Sequence, residues 1–216
     1  MKKSVYSLVL MDDVVAAIDE LAYTLHTSRS NLINQILAEK VAMVTPKQQV
    51  QAIFENLSEY LRPYTYFQIQ EQADDHMYSI KSALRYKYNP TIRYSVYLVQ
   101  EGGCLKGQLR MISRTQSEIL YDYLNSFIQM WETIENESSK VIWEVEQGSK
   151  WLRKLSLEAY QQPDCGQLLA SMLSKYITIL DEGLKLYFTH LDDPQTQYRK
   201  LNKYYHERYR QMGGTL

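Results

Sequence analysis

Cations dominate the residues in this chain that could do chemistry. Between His76 and Arg114 the charged side chains are Lys81, Arg85, Lys87, Arg93, Lys106 and Arg110, against Glu101 alone. Like charges facing each other across strands destabilise pairing, so a run of one sign suits an acidic ligand or partner, or an acidic segment of the same chain such as 132–146. A second group is Ser28-Arg29-Ser30, set where a helix begins. Hydroxyls, free N–H groups and a guanidinium at such a position are phosphate donors, and Ser28 serves equally as a simple cap. Lys2 and Lys3 can reach the same phosphate backbone. Near the end, Arg199, Lys200, Lys203, Arg208 and Arg210 alternate with Tyr198, Tyr204, Tyr205 and Tyr209. That pattern fits either a nucleic-acid contact or the solvated face of an amphipathic helix.

Bond-making chemistry has little to work with. P-loop, GxGxxG, GxSxG and HExxH patterns do not occur. His26, His76, His190 and His206 are scattered without ligand spacing and read as solvent-exposed. Cys104 follows a Gly-Gly turn and reads as a small apolar residue, while Trp131, Trp143 and Trp151 read as core. The expectation is a binding protein without catalytic residues, cofactor or metal.

These groups must be held by elements, and the elements can be read from periodicity. Residues 4–10 alternate, with Tyr6, Leu8 and Leu10 on one side and Val5, Ser7 and Val9 on the other, which predicts a short strand. Asp12 and Asp13 open a helix carrying Val14, Ile18, Leu21 and Ala22 and stopping near Leu25-His26. Thr27-Ser28-Arg29-Ser30 starts a second helix through Leu32, Ile33, Ile36, Leu37 and Val41. A lone strand needs a partner for its backbone groups, and none lies nearby, so pairing with the same strand of a second chain is predicted.

This strand, helix, turn and helix, with Leu10-Met11-Asp12-Asp13-Val14 at the first junction and Ser28-Arg29-Ser30-Asn31-Leu32-Ile33 opening helix two, resembles the ribbon-helix-helix family of Arc-, MetJ- and CopG-type DNA-binding proteins over residues 3–43. The resemblance implies a dimer whose paired strands lie in the major groove of DNA. Carried over by position, Val5, Ser7 and Val9 would face the bases, and Lys2, Lys3, Ser28, Arg29 and Ser30 the phosphates. Valines offer only contact to thymine methyl groups where the family usually places hydrogen-bonding side chains. A dimerisation ribbon that no longer binds DNA is the alternative.

The rest of the chain predicts a helix over 46–62 after the Thr45-Pro46 cap, then strands near 66–70, 77–88, 91–100 and 105–113. Parity places Lys81, Arg85, Lys87, Arg93, Lys106 and Arg110 together on one sheet face, opposite an apolar one. Helices are predicted over 115–211, with 138–160 read as helical and ambiguous around Gly148. The fold class is therefore mostly α with a small antiparallel sheet, an α+β arrangement. A ribbon-helix-helix module occupies 1–44 and an α+β domain 45–216.

Composition is that of an ordinary globular protein: 45% hydrophobic, 23% charged, formal net charge −1. A local rather than global attraction for polyanions follows. No apolar run is long enough for a membrane span. The apolar start is cut short by Asp12 and Asp13, which argues against a leader. Two cysteines cannot make a disulfide framework, so a reducing cytoplasm is the simplest home. The expected function is a dimeric, sequence-specific DNA-binding transcriptional regulator, a repressor, whose larger domain binds an effector or partner or sets the oligomeric state. The rival is a plasmid or chromosome segregation protein, or a scaffold, that uses the module to dimerise and the larger domain to recruit a partner protein.

Overall fold

The computed structural model describes residues 5, 7–41, 45–70, 74–138, 140–146, 149–210, 212 and 216. Contacts divide the chain into two units, residues 1–49 and 50–216.

In the first unit Val5 and residues 7–11 form no strand within the single chain. Helix α1 (Asp12–Thr24) then starts with both aspartates in its first turn, where carboxylates meet free amides and the positive end of the dipole. It ends in a Schellman motif. The Thr27 N–H donates to the Ala22 carbonyl at 2.9 Å and the His26 N–H to that of Tyr23 at 3.1 Å, with His26 in the left-handed region at φ +49°. Helix α2 (Arg29–Lys40) follows at once. Its start is capped by Ser28, whose Oγ accepts from the Asn31 N–H at 3.3 Å. Both helices and the stop at Leu25-His26 lie where periodicity places them.

Helix α3 (Pro46–Leu61) opens with a reciprocal cap. The Gln48 N–H donates to Thr45 Oγ1 at 3.2 Å, and the Thr45 N–H to Gln48 Oε1 at 2.9 Å. Its buried stripe is Val50, Ile53, Phe54, Leu57 and Leu61.

The second unit is built on a six-stranded antiparallel sheet in the order β1-β2-β3-β4-β6-β5. The strands are β1 (Phe67–Ile69), β2 (Met77–Ala83), β3 (Thr91–Glu101), β4 (Cys104–Ser113), β5 (Trp143–Glu146) and β6 (Lys150–Leu155). A two-residue turn, Gly102 at φ +60° and Gly103 at φ +86°, joins β3 to β4. Two consecutive positive φ values suit glycine and match the twist of the strands. Tyr78, Ile80, Ile92, Tyr94, Val96, Leu98, Leu109, Met111 and Trp151 make one buried face.

Helices α4 (Glu118–Glu135), α5 (Gly166–Phe188) and α6 (Pro194–Tyr209) complete the unit. Apolar on nearly all sides, α5 is buried along most of its length. Tyr121 of α4 stacks on Trp151, Phe54 of α3 on Tyr78, and Trp131 of α4 meets Tyr205 of α6 edge-on. The architecture is thus α+β. No helix among the described residues is long and apolar enough to cross a membrane.

Three local expectations are corrected. In place of a helix over 138–160, Trp143–Glu146 and Lys150–Leu155 form a hairpin whose β6 adds to the free edge of β4, Met111 pairing with Trp151, and a single 3₁₀ turn follows at Glu158–Tyr160. The physical reason is parity, since Trp143 and Val145 share one face while Glu144 and Glu146 share the other. Strand β2 ends at Ala83 rather than Tyr88, because Tyr88 (φ +65°) and Asn89 (φ +45°) take left-handed turn conformations. Helix α4 starts at Glu118. That is later than the predicted start at 115, because its cap is Ser117, which accepts from the Leu120 N–H at 3.3 Å.

Candidate functional site

Residue by residue, the N-terminal unit presents most of what the sequence nominated. Val5 and Val9 are fully exposed at 100% and 101%, while Leu8 and Leu10 are 61% and 40% exposed. Ser7, Ser28 and Ser30 are exposed as well. Lys2 and Lys3 lie outside the described residues. Arg29 is not a free cation: its Nε and Nη2 both donate to the carboxylate of Asp19 on α1. Hydrogen bonding to Arg29 holds the Asp19 carboxyl below its ordinary range.

On the sheet, register tests the basic face directly. Lys81 and Arg93 stand directly opposite each other on β2 and β3, and Lys106 and Arg110 stand on the same side of β4. Arg85 and Lys87 do not belong there, because β2 ends before them and they lie in the turn. The face is also less positive than expected. β5 brings Glu144 and Glu146 onto it as an edge strand, where a helix was the predicted source of acid. Lys154 pairs with Glu144 at 2.8 Å, Arg110 approaches Glu146 at 4.0 Å, and Lys106 pairs with Glu101 at 2.7 Å. Arg110 also lies over the Tyr97 ring at 4.6 Å. At the centre the hydroxyls of Ser79 and Ser95 bond each other at 2.8 Å. Of the predicted basic residues on this face, Lys81 and Arg93, on the β2–β3 side, have no carboxylate partner among the described residues.

Of the C-terminal cations, Lys203 and Arg208 are part of a paired helix surface. Arg208 approaches Glu182 at 3.7 Å and Lys203 approaches Glu207 at 3.8 Å. Tyr198 and His206 both bond Glu137, and Tyr204 bonds Glu182.

Two buried polar clusters went unread in the sequence. Glu135, 1% exposed, accepts from the Tyr176 hydroxyl at 2.6 Å and from Trp143 Nε1 at 2.8 Å. Arg153 faces it at 3.4 Å and lies over the Tyr176 ring. Asp181 accepts from Tyr94, Ser82 and Lys185 at 3.0, 3.1 and 2.6 Å. Burial pushes both carboxyls up and raises the Tyr94 and Tyr176 hydroxyls well above their usual range. A signal did exist: Arg153 shares parity with Trp151 and Leu155, and Glu135 lies one helical turn beyond Trp131. The Asp181 cluster is closed by side chains of the protein; in the other, Arg153 Nη2 donates to the Leu216 carbonyl at 2.9 Å, while its Nε and Nη1 have no hydrogen-bond partner among the described residues. Among the described residues no His, Cys, Asp and Glu group is placed to hold a metal ion.

Neither a protein-family model, nor a curated protein, nor a solved structure matches this chain.

Proposed function

We propose that the protein is a dimeric DNA-binding regulator of transcription, a repressor whose N-terminal unit pairs with that of a second copy and holds duplex DNA. The observation that carries this reading is the sparse core of that unit. Among its described apolar side chains only Ala22 and Leu32 are buried, while Leu8, Leu10, Leu21, Leu25, Ile36, Leu37 and Val41 remain exposed. So small a unit lacks the buried area to stand alone, and oligomerisation is the usual remedy. Pairing residues 4–10 across a two-fold axis would turn Leu8 and Leu10 inward and leave Val5, Ser7 and Val9 outward, as the ribbon-helix-helix resemblance implies. Ser7 then offers a hydrogen bond to a base edge and the valines contact with thymine methyl groups. The start of α2, with Ser28 and Ser30, faces phosphate. In the apo protein Arg29 is engaged by Asp19, so it reaches phosphate only by leaving that carboxylate.

Selection from random duplexes with the full-length protein, beside sedimentation at micromolar concentration, tests both halves. A dimer with an enriched site is expected. A monomer overturns the reading. A dimer that enriches no sequence favours the segregation or scaffold role, in which the ribbon serves only assembly.

A further inference from the structure

The turn between β2 and β3 and the start of α4 enclose a cleft of about 630 Å³. Its lining includes Lys87, Tyr88, Thr91, Ser113, Arg114 and Ser117. None of the residues that line it is acidic, and Glu118, in the first turn of α4, is not part of the wall.

Three independent features converge there. First, α4 is an 18-residue helix whose start is only partly capped. The Ser117 N–H donates to Thr115 Oγ1 at 3.0 Å and the Leu120 N–H to Ser117 Oγ at 3.3 Å. The amides of Glu118 and Ile119 are left without a partner among the described residues, at the positive end of the helix dipole. Second, Ser113 is 2% exposed, and its hydroxyl is buried with no hydrogen-bond partner among the described residues. Buried polar groups are nearly always satisfied, so an orphan on the wall of a cleft points to a bond supplied from outside the chain. Third, Lys87 and Arg114 are exposed cations with no carboxylate in ion-pair range among the described residues. Tyr88, held in the left-handed region at φ +65°, carries a fully exposed ring at the rim.

We propose that this cleft binds a phosphate group. The α4 amides and the Ser113 hydroxyl donate to its oxygens, and Arg114 and Lys87 supply charge-assisted bonds. The phosphate is either the free ion or the end of a small ester whose planar group lies against Tyr88. This site stands apart from the N-terminal ribbon, and the proposal does not rest on DNA binding.

Titration calorimetry of the full-length protein with inorganic phosphate, and separately with adenosine monophosphate, tests it. Saturable binding of one phosphate per chain is expected, weakened about tenfold or more in the Lys87→Ala/Arg114→Ala double variant while its melting temperature stays unchanged. Ser113→Ala is expected to weaken phosphate binding and to raise the melting temperature of the unliganded protein, because a buried unpaired hydroxyl is removed. Tighter binding of the monophosphate, lost in Tyr88→Ala, identifies an aromatic ester; equal affinities identify the free ion. Absence of saturable binding of both probes overturns the proposal. So does binding that the double variant retains in full, since general attraction to cations elsewhere would then account for it.

Discussion

At the scale of single residues, buried charge decides most. Glu135 and Arg153 are both almost fully buried, and removing one partner strands the other in a low-dielectric interior. Glu135→Ala should therefore cost about 3–5 kcal/mol, read from denaturant melts. Gly183 on α5 illustrates close packing. An added Cβ would come within 2.4 Å of the Trp131 ring, and a buried indole cannot swing aside, so Gly183→Ala should cost about 1–3 kcal/mol. Asp181 gives a pH signature. Burial raises its folded-state value above that of the unfolded chain, with Lys185 opposing the shift. Between the two values the native state holds more protons than the unfolded one, so this group's contribution to stability falls as pH rises through that window. The cost of Asp181→Asn should accordingly shrink from the acid to the alkaline side of it. A penalty that grows with pH would contradict the direction assigned. Arg29 belongs to the same scale. Under the proposed function, Asp19→Ala should release it, tightening binding to duplex DNA and steepening the salt dependence by about one unit.

At the scale of elements, what was legible in the sequence followed the strength of the local signal. The α1 stop at Leu25-His26, the Thr45-Pro46 start and the Gly102-Gly103 turn are set by groups within a few residues of each other, and each sits where predicted. The β5–β6 hairpin was missed because its ladder partner, β4, lies far away in sequence. Trp143 and Val145 pair with Arg153 and Trp151 of β6, and β6 in turn is held by β4, a strand that precedes α4. The early end of β2 was missed because tyrosine seldom takes a positive φ, so Lys-Tyr-Asn does not announce a turn as Gly-Gly does. The basic face was half legible: parity placed Lys81, Arg93, Lys106 and Arg110 correctly, but while Lys106 is answered by Glu101 at the end of β3, the acid that answers Arg110 is Glu146 on the unread β5. What remains is a directly opposed Lys81–Arg93 pair. Lys81→Glu should convert repulsion into attraction and stabilise the sheet by about 0.2–1 kcal/mol, with the gain fading at high salt. Unchanged melts at low salt would show that solvent already screens the pair.

At the scale of the whole molecule, two units of unequal core should respond differently to dilution. A unit that relies on a second copy melts at a temperature that rises with protein concentration, whereas a unit with its own core does not. Thermal melts over a hundredfold dilution series should show a transition that moves and one that stays fixed. A single transition independent of concentration would argue against assembly through residues 4–10. The strand order carries a further consequence, for the time course of folding. Strands β3 and β4 meet through a two-residue turn, but β6 reaches β4 only after the chain has traversed α4, and closing that longer loop is slower. Trp131, Trp143 and Trp151 all lie on α4 or beyond it. Indole emission during refolding should therefore report the late docking of the hairpin, trailing the protection of β3 and β4 amides from hydrogen exchange.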